Sequence, residues 1–170
     1  ESAPTCPALE TFLAGQAVRA YDYLGARPEV RDGTEGYVFR VWAPHAEAVG
    51  VMGDFNGWDD KDHPLTRLHG GVWEGFIPGL QRYDTYKYAV HTRDGRMLAK
   101  SDPFAFHAET RPGNASKLYD LSGYVWGDES WLKWRKENPI YDRPLNIYEV
   151  HLGSWRRTGG GQLLGYPDIG

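Results

Sequence analysis

The side chains of this chain that could do chemistry are carboxylates, imidazoles and indoles. Glycoside cleavage or transfer needs two carboxylates held a set distance apart on a rigid frame. The chain has 23 acidic residues, but no spacing singles out a pair, and joining Asp54 to Glu74 would be arbitrary. No catalytic residue is therefore assigned within it. Histidines 45, 63, 69, 91, 107 and 151 show neither HExxH nor close-pair spacing, so no metal site is expected. Asp54, Asp59, Asp60 and Asp62 lack the alternating ligands and closing Glu of a calcium loop and read as solvated turn charges. Gly159-Gly160-Gly161 is not followed by Lys-Ser/Thr, and Ser154 lacks the flanking glycines of a nucleophile elbow. Asn114-Ala115-Ser116 is formally a glycosylation sequon, which matters only in a secreted chain. None of these features calls for a cofactor.

The indoles are more informative. Residues 53–60 read GDFNGWDD. Asn56-Gly57 is a turn signal because both residues tolerate positive φ, and it delivers Trp58 to a surface turn. Two readings stay open there: the ring folds back onto the core, or it is a flat platform for a flat ligand. A pyranose suits the second, because its C–H face can lie on an indole while Lys, Asn or backbone groups bond its hydroxyls. Stacking that buries about 80 Å² contributes about 2 kcal/mol, whereas millimolar binding needs about 4 kcal/mol. One Trp is insufficient. A glycan site needs a second platform or several polar contacts.

The elements that must position these residues follow from periodicity. ALETFLAGQAVRAYDYL, residues 8–24, has apolar residues at helical spacing and predicts a helix. GARPEVRDGTEG, residues 25–36, reads as turn material. From Tyr37 the period shortens. YVFRVWAP, AVGVM, GVWEGFI, TYKYAVH, RMLAK and SKLYDL read as strands, with Asp94-Gly95 closing a hairpin. Short strands without intervening helices predict an immunoglobulin-like antiparallel β-sandwich over residues 31–121, after a helical segment and linker over 1–30. Trp42 and Trp73 lie in strands and are assigned to the core. Residues 122–144 read as a linker, with a helical turn or two at WLKWRK and with Trp126, Trp131 and Trp134 packed on a neighbour. LNIYEVHLG reads as a strand buried on both faces. Such a strand cannot satisfy its own edges, so partners for it are expected beyond residue 170.

Composition narrows the function classes. The chain has 170 residues and a net charge of −4, with scattered Lys and Arg, which argues against nucleic acid and against an anionic membrane surface. No apolar run is long enough to cross a bilayer. Cys6 is alone, so no intrachain disulfide can form, and the first residues do not read as a signal peptide. A cytoplasmic location is expected.

Several motifs in order carry a resemblance. FRVWAPHAEAVGVMGDFNGW, YKYAV, DPFAF and RPGNASKLYD resemble the family-48 carbohydrate-binding module that precedes the barrel of α-amylase-superfamily enzymes. AYDYLGARPE and PLNIYEVHLGSWRR resemble 1,4-α-glucan branching enzymes, the latter at the first strand of their (β/α)8 barrel. The resemblance implies that residues 145–170 begin that barrel. It also implies an activity: cleaving an α-1,4 glucan and transferring the segment to a 6-hydroxyl, with a retaining Asp nucleophile and a Glu acid/base. No position here matches those carboxylates, so this chain alone is expected to be inactive. The implied partners are α-glucan (glycogen, amylose, maltooligosaccharides) and the protein's own catalytic domain. The implied glycan-binding residues are Trp58, Lys87, Asn114 and Ser116, with Asn56 in the same turn. The family's second stacking Trp is Met97 here. Tyr148 resembles a position near the active-site mouth, and a packed aromatic is its other reading. Two alternatives remain open: a non-catalytic glucan-binding or regulatory module, and a brace without glucan affinity.

Overall fold

A computed structural model describes residues 6–169. Residues 1–5 and 170, at the outer ends of the first and last expected segments, lie outside the described residues. Two compact units divide between Gly123 and Tyr124. Among the described residues no helix is long and apolar enough to cross a membrane.

The first unit opens with helix α1, Pro7–Leu13, which carries a proline in its first turn. It stops well short of the expected Leu24. Gly15 takes φ 71°, which turns the chain out of the helix, and Val18 is left 96% exposed. Leu9 and Phe12 nevertheless bury with Tyr23, Leu24, Val72 and Phe104 in a small cluster of their own.

Among the described residues nine strands follow: β1 Gly25–Arg31, β2 Thr34–Trp42, β3 Ala48–Gly53, β4 Thr66–Arg67, β5 Val72–Pro78, β6 Thr85–His91, β7 Met97–Lys100, β8 His107–Ala108 and β9 Ser116–Lys117. One sheet has the order β1-β2-β5-β4. The other runs β3-β6-β9-β8, with β7 also on β6. Each named pairing is antiparallel. Inward residues at period two fill the space between the sheets. Tyr37, Phe39, Val41, Trp73 and Ile77 come from one sheet, and Val49, Val51, Tyr86 and Tyr88 from the other. The Phe39 ring meets Tyr86 edge-on at 5.2 Å.

Three further expectations fail in this unit. Residues 25–31 are a strand, and only Asp32 and Gly33, at φ 50° and 76°, form the turn. Pro28 is tolerated because β1 is an edge strand whose outer side needs no N–H donor. Trp42 lies outside the core at 53% exposure. It sits on the outward parity of β2, with Nε1–H donating to Gly70 O at 3.1 Å and its ring edge-on to Phe12. The strand at 116–121 shrinks to Ser116–Lys117. Trp73 is buried as expected, with its N–H satisfied by Ala43 O at 3.0 Å.

In the second unit, α2 spans Glu129–Glu137 and stops before Pro139, and α3 is a single turn at Leu152–Trp155. Trp126, Trp131 and Trp134 are exposed. Leu145, Ile147, Tyr148 and Val150 are also exposed and form no strand. A doubly buried strand exists only when neighbours satisfy both rows of its N–H and C=O groups. Among the described residues nothing pairs with this run, and propensity alone does not create a ladder.

Candidate functional site

The turn after β3 is held by its own backbone and side chains. Gly53 leads into a single helical turn, Asp54–Asn56, closed by Gly57 at φ 63°. The Asn56 Oδ1 accepts from Gly53 N at 2.9 Å, and its Nδ2 donates to Val51 O and Asp59 O at 3.2 and 3.1 Å. Both amide hydrogens are thus committed to the turn. Asn56 shapes the loop, and its amide has no hydrogen left to donate to a ligand.

Trp58 sits at φ 64°, a conformation that costs a bulky residue of order 1 kcal/mol and persists only when its surroundings enforce it. They do so from two sides. Its N–H donates to Gly53 O at 2.9 Å, and its indole Nε1–H donates to Asp54 Oδ1 at 2.8 Å. The other Asp54 oxygen accepts from the Thr85 hydroxyl at the start of β6. The one polar group of the indole is therefore spent on the protein. What the half-exposed side chain offers outward is carbon. The loop stays close to the sheet because Gly50 has no side chain: a Cβ there would lie 2.6 Å from Asp60 O.

Lys87 is two residues after Thr85 in β6, so both point to the outer face of the sheet. Its ammonium donates to Asn114 Oδ1, and Ser101 in turn holds the Asn114 carbonyl through its hydroxyl. Trp58, Lys87 and Asn114 therefore gather on one face around the first half of β6. Ser116 does not join them. It is 1% exposed, points inward from β9, and its Oγ accepts from Asp102 N at 2.8 Å. It is a core residue, since a pairing partner of Tyr86 in β9 must face inward with it. Met97 pairs with His91 and shares the outer face, but because His91 is four residues from Lys87 it stands about 13 Å farther along the strand.

Beneath this face lies a buried polar group that the sequence reading did not single out. Asp102 Oδ2 accepts from Tyr86 OH at 2.7 Å and Tyr88 OH at 3.2 Å, while Oδ1 accepts from Phe104 N at 2.8 Å. Burial pushes its carboxyl above the ordinary value, against the pull of those hydrogen bonds. Burial likewise drives both tyrosines up, so they stay donors. The residues that hold Trp58 were missed for different reasons. Asp54 was visible as an acid four residues before the indole. Thr85 carries no local signal, being 31 residues from its partner.

With this arrangement in view, the comparisons with known proteins are specific. Residues 23–105 match the family described as Carbohydrate-binding module 48 (Isoamylase N-terminal domain). Residues 23–105 are a module of that family. Over 169 residues the chain is 40% identical to the 1,4-alpha-glucan branching enzyme GlgB of Bacillus subtilis, covering 99% of this chain and 27% of that protein. It is 46% identical to the enzyme of the same name from Thermosynechococcus vestitus, over 86% of this chain and 19% of that one. The chain thus spans about a quarter or less of the curated relatives it matches. A pullulanase structure from Anoxybacillus sp. LM18-11, complexed with maltotetraose, aligns with 62% of this chain and 16% of its own, with a TM-score of 0.49 and 22% identity. In this chain Lys87 and Asn114 bond to each other on the outer face of β6, Trp58 is tied through Asp54 to Thr85 of the same strand, and Ser116 is turned inward.

Proposed function

We propose that this chain is the glucan-binding and bracing region of a cytoplasmic 1,4-α-glucan branching enzyme. In that reading residues 122–144 link the module to the barrel, residues 145–170 open the barrel, and the reacting Asp and Glu belong to other parts of the same protein. The partners are α-glucans and the catalytic domain. The exposed apolar run Leu145–Val150 supports the assignment, because it has the composition of a strand buried on both faces and no ladder of its own.

The observation that carries the glucan-binding part is the orientation of Trp58. Its indole N–H is tied to Asp54, so its outward surface suits the C–H face of a pyranose rather than a hydrogen-bonding group. Lys87, two residues along β6 from the Thr85 that anchors the Trp58 turn, and its partner Asn114 would be the hydroxyl partners. They supply the polar contacts that a single ring lacks when about 2 kcal/mol of stacking must grow to about 4 kcal/mol for millimolar binding.

Calorimetric titration with maltoheptaose tests this reading. Wild type should bind at millimolar concentration, and Trp58→Ala should lose at least tenfold in affinity. Wild type that fails to bind at that concentration would leave only the bracing role. The isolated chain should also produce no iodine-stain shift with amylose, and activity above blank would overturn the placement of the reactive carboxylates.

A further inference from the structure

Three rings close on one another on the same sheet, at its β9-β8 edge. Tyr83 lies 5.5 Å from His107 and 5.7 Å from Tyr119, and His107 lies 5.6 Å from Tyr119. The Arg82 guanidinium covers Tyr119 at 4.1 Å and reaches Tyr83 at 5.1 Å. Tyr83 is 50% exposed, so part of its ring is open to a ligand. It also sits at φ 79°. Among the described residues only three non-glycine positions have positive φ: Asp32 in a hairpin, Trp58 and Tyr83. Both aromatic members of that group therefore hold strained backbone next to the same sheet.

The strand register puts the cluster in line with Trp58. Thr85 pairs with Lys117, and Lys117 pairs with His107, so the three share the outer face of the sheet. Thr85 is the residue that anchors Asp54 and, through it, the Trp58 indole. Two strand spacings, about 10 Å, separate Thr85 from His107, with Lys117 between them. The contact of His107 Nδ1 with Ala108 O at 3.0 Å requires the proton on Nδ1, because a carbonyl only accepts. In the neutral ring that leaves Nε2 to accept from a hydroxyl. The cluster thus combines ring surface with hydroxyl, imidazole, ammonium and guanidinium groups at its rim, the mixture that a pyranose requires.

We infer that Tyr83, His107 and Tyr119 form a second sugar-stacking subsite, joined to Trp58 across Lys117, so that one α-glucan chain crosses strands β6, β9 and β8 instead of running along β6 towards Met97. The inference rests on Trp58 being a glucan platform. It supplies the second platform that Met97 does not.

Chain length separates the two claims. Maltotriose and maltoheptaose are titrated into wild type, Trp58→Ala and Tyr83→Gly. Glycine accepts φ 79° without strain, so Tyr83→Gly removes the ring without unfolding the turn. Tyr83→Gly should weaken maltoheptaose by about fivefold to tenfold, the loss of one modest apolar contact, and leave maltotriose unchanged. Trp58→Ala should weaken both. In the NMR spectrum, the His107 ring resonance should move on adding maltoheptaose and stay still with maltotriose. If Tyr83→Gly binds maltoheptaose like wild type while Trp58→Ala does not, the subsite is wrong and the Trp58 reading stands. If Trp58→Ala binds both sugars like wild type, the path through Trp58 is wrong as well.

Discussion

The outer face of the β1-β2-β5-β4 sheet is closed by its own charges. Glu74 accepts from Arg40 Nε at 2.6 Å and from Arg31 Nη2 at 3.1 Å, and Glu29 bridges to both arginines. The two guanidinium groups also lie over rings, Arg40 over Tyr23 and Arg31 over Phe76, while the α1 cluster covers the end near Val72. Glu29 and Glu74 between them pair both arginines, while Tyr23 OH and Arg27 Nε on the same side are buried with no hydrogen-bond partner among the described residues. The opposite outer face, on β6 and β9, carries indole, phenol and imidazole rings with Lys87 and Lys117 among them. Where side chains satisfy one another, a ligand would have to break contacts it cannot replace. Where the Trp58 indole has committed its N–H to Asp54 and kept its carbon surface outward, a ligand meets ring carbon rather than an occupied ion pair, although Arg82 also lies over Tyr119 and Tyr83 on this side. Both faces come from the same kind of ladder, and side-chain pairing decides which of them is available.

Asp102 lies under the second of these faces, where its carboxyl receives both buried tyrosine hydroxyls of β6. The largest effect is therefore expected from Asp102→Ala, which leaves Tyr86 and Tyr88 hydroxyls buried without an acceptor. We expect a loss of about 3 kcal/mol in urea unfolding. Next comes Trp58→Gly. Glycine relaxes the positive φ, so stability should change by no more than about 0.5 kcal/mol, while maltoheptaose affinity falls at least tenfold. A matching fall in stability would mean that the indole serves packing, and the contrast between the faces would dissolve.

Glu74→Gln should cost about 1 kcal/mol near neutral pH, discounted because the network is partly solvated, and it should leave glucan affinity untouched. Its pH dependence has a definite sign. Desolvation pushes Glu74 up, but the hydrogen bonds and charge of Arg40 and then Arg31 outweigh this and hold it below its ordinary 4.5. Its contribution is complete above pH 4.5 and is lost as pH falls through the lowered folded value, so the gap between wild type and Glu74→Gln should close in acid. Asp102 behaves oppositely. Its raised value means that its contribution is complete below 3.8 and declines as pH rises through the folded value, so the Asp102→Ala deficit should widen in acid. Urea midpoints across the acid range would show the two trends, and parallel trends would contradict the burial contrast. The smallest effect is expected from Met97→Trp. If the glucan crosses β9 and β8, a ring at position 97 should improve maltoheptaose binding by less than about threefold. A tenfold gain would favour a path along β6.

The strands were legible where apolar residues alternate between clear turn signals, as in Thr85–His91 and Val72–Pro78. They were illegible where pairing makes the strand. Gly25–Arg31 contains Pro28 and polar residues, and it is extended because β2 lies alongside. Residues 145–151 show the converse, with strong strand composition and no ladder. The site was half legible. Trp58, Lys87 and Asn114 were named from the resemblance and stand together, whereas Ser116 sits in the same motif with its side chain turned inward.

Local composition determined the turn at Asn56-Gly57, the alternating strands, the absence of a recognisable reactive pair and the kinship with carbohydrate-binding modules, because each depends on neighbours within a few residues. Tertiary structure decided which face is closed by ion pairs and which keeps its rings outward. Asp54 reaches Thr85 and Lys117 reaches His107 only after strands distant in sequence have paired, and a one-residue shift in that register would turn every one of these side chains to the other side of the sheet.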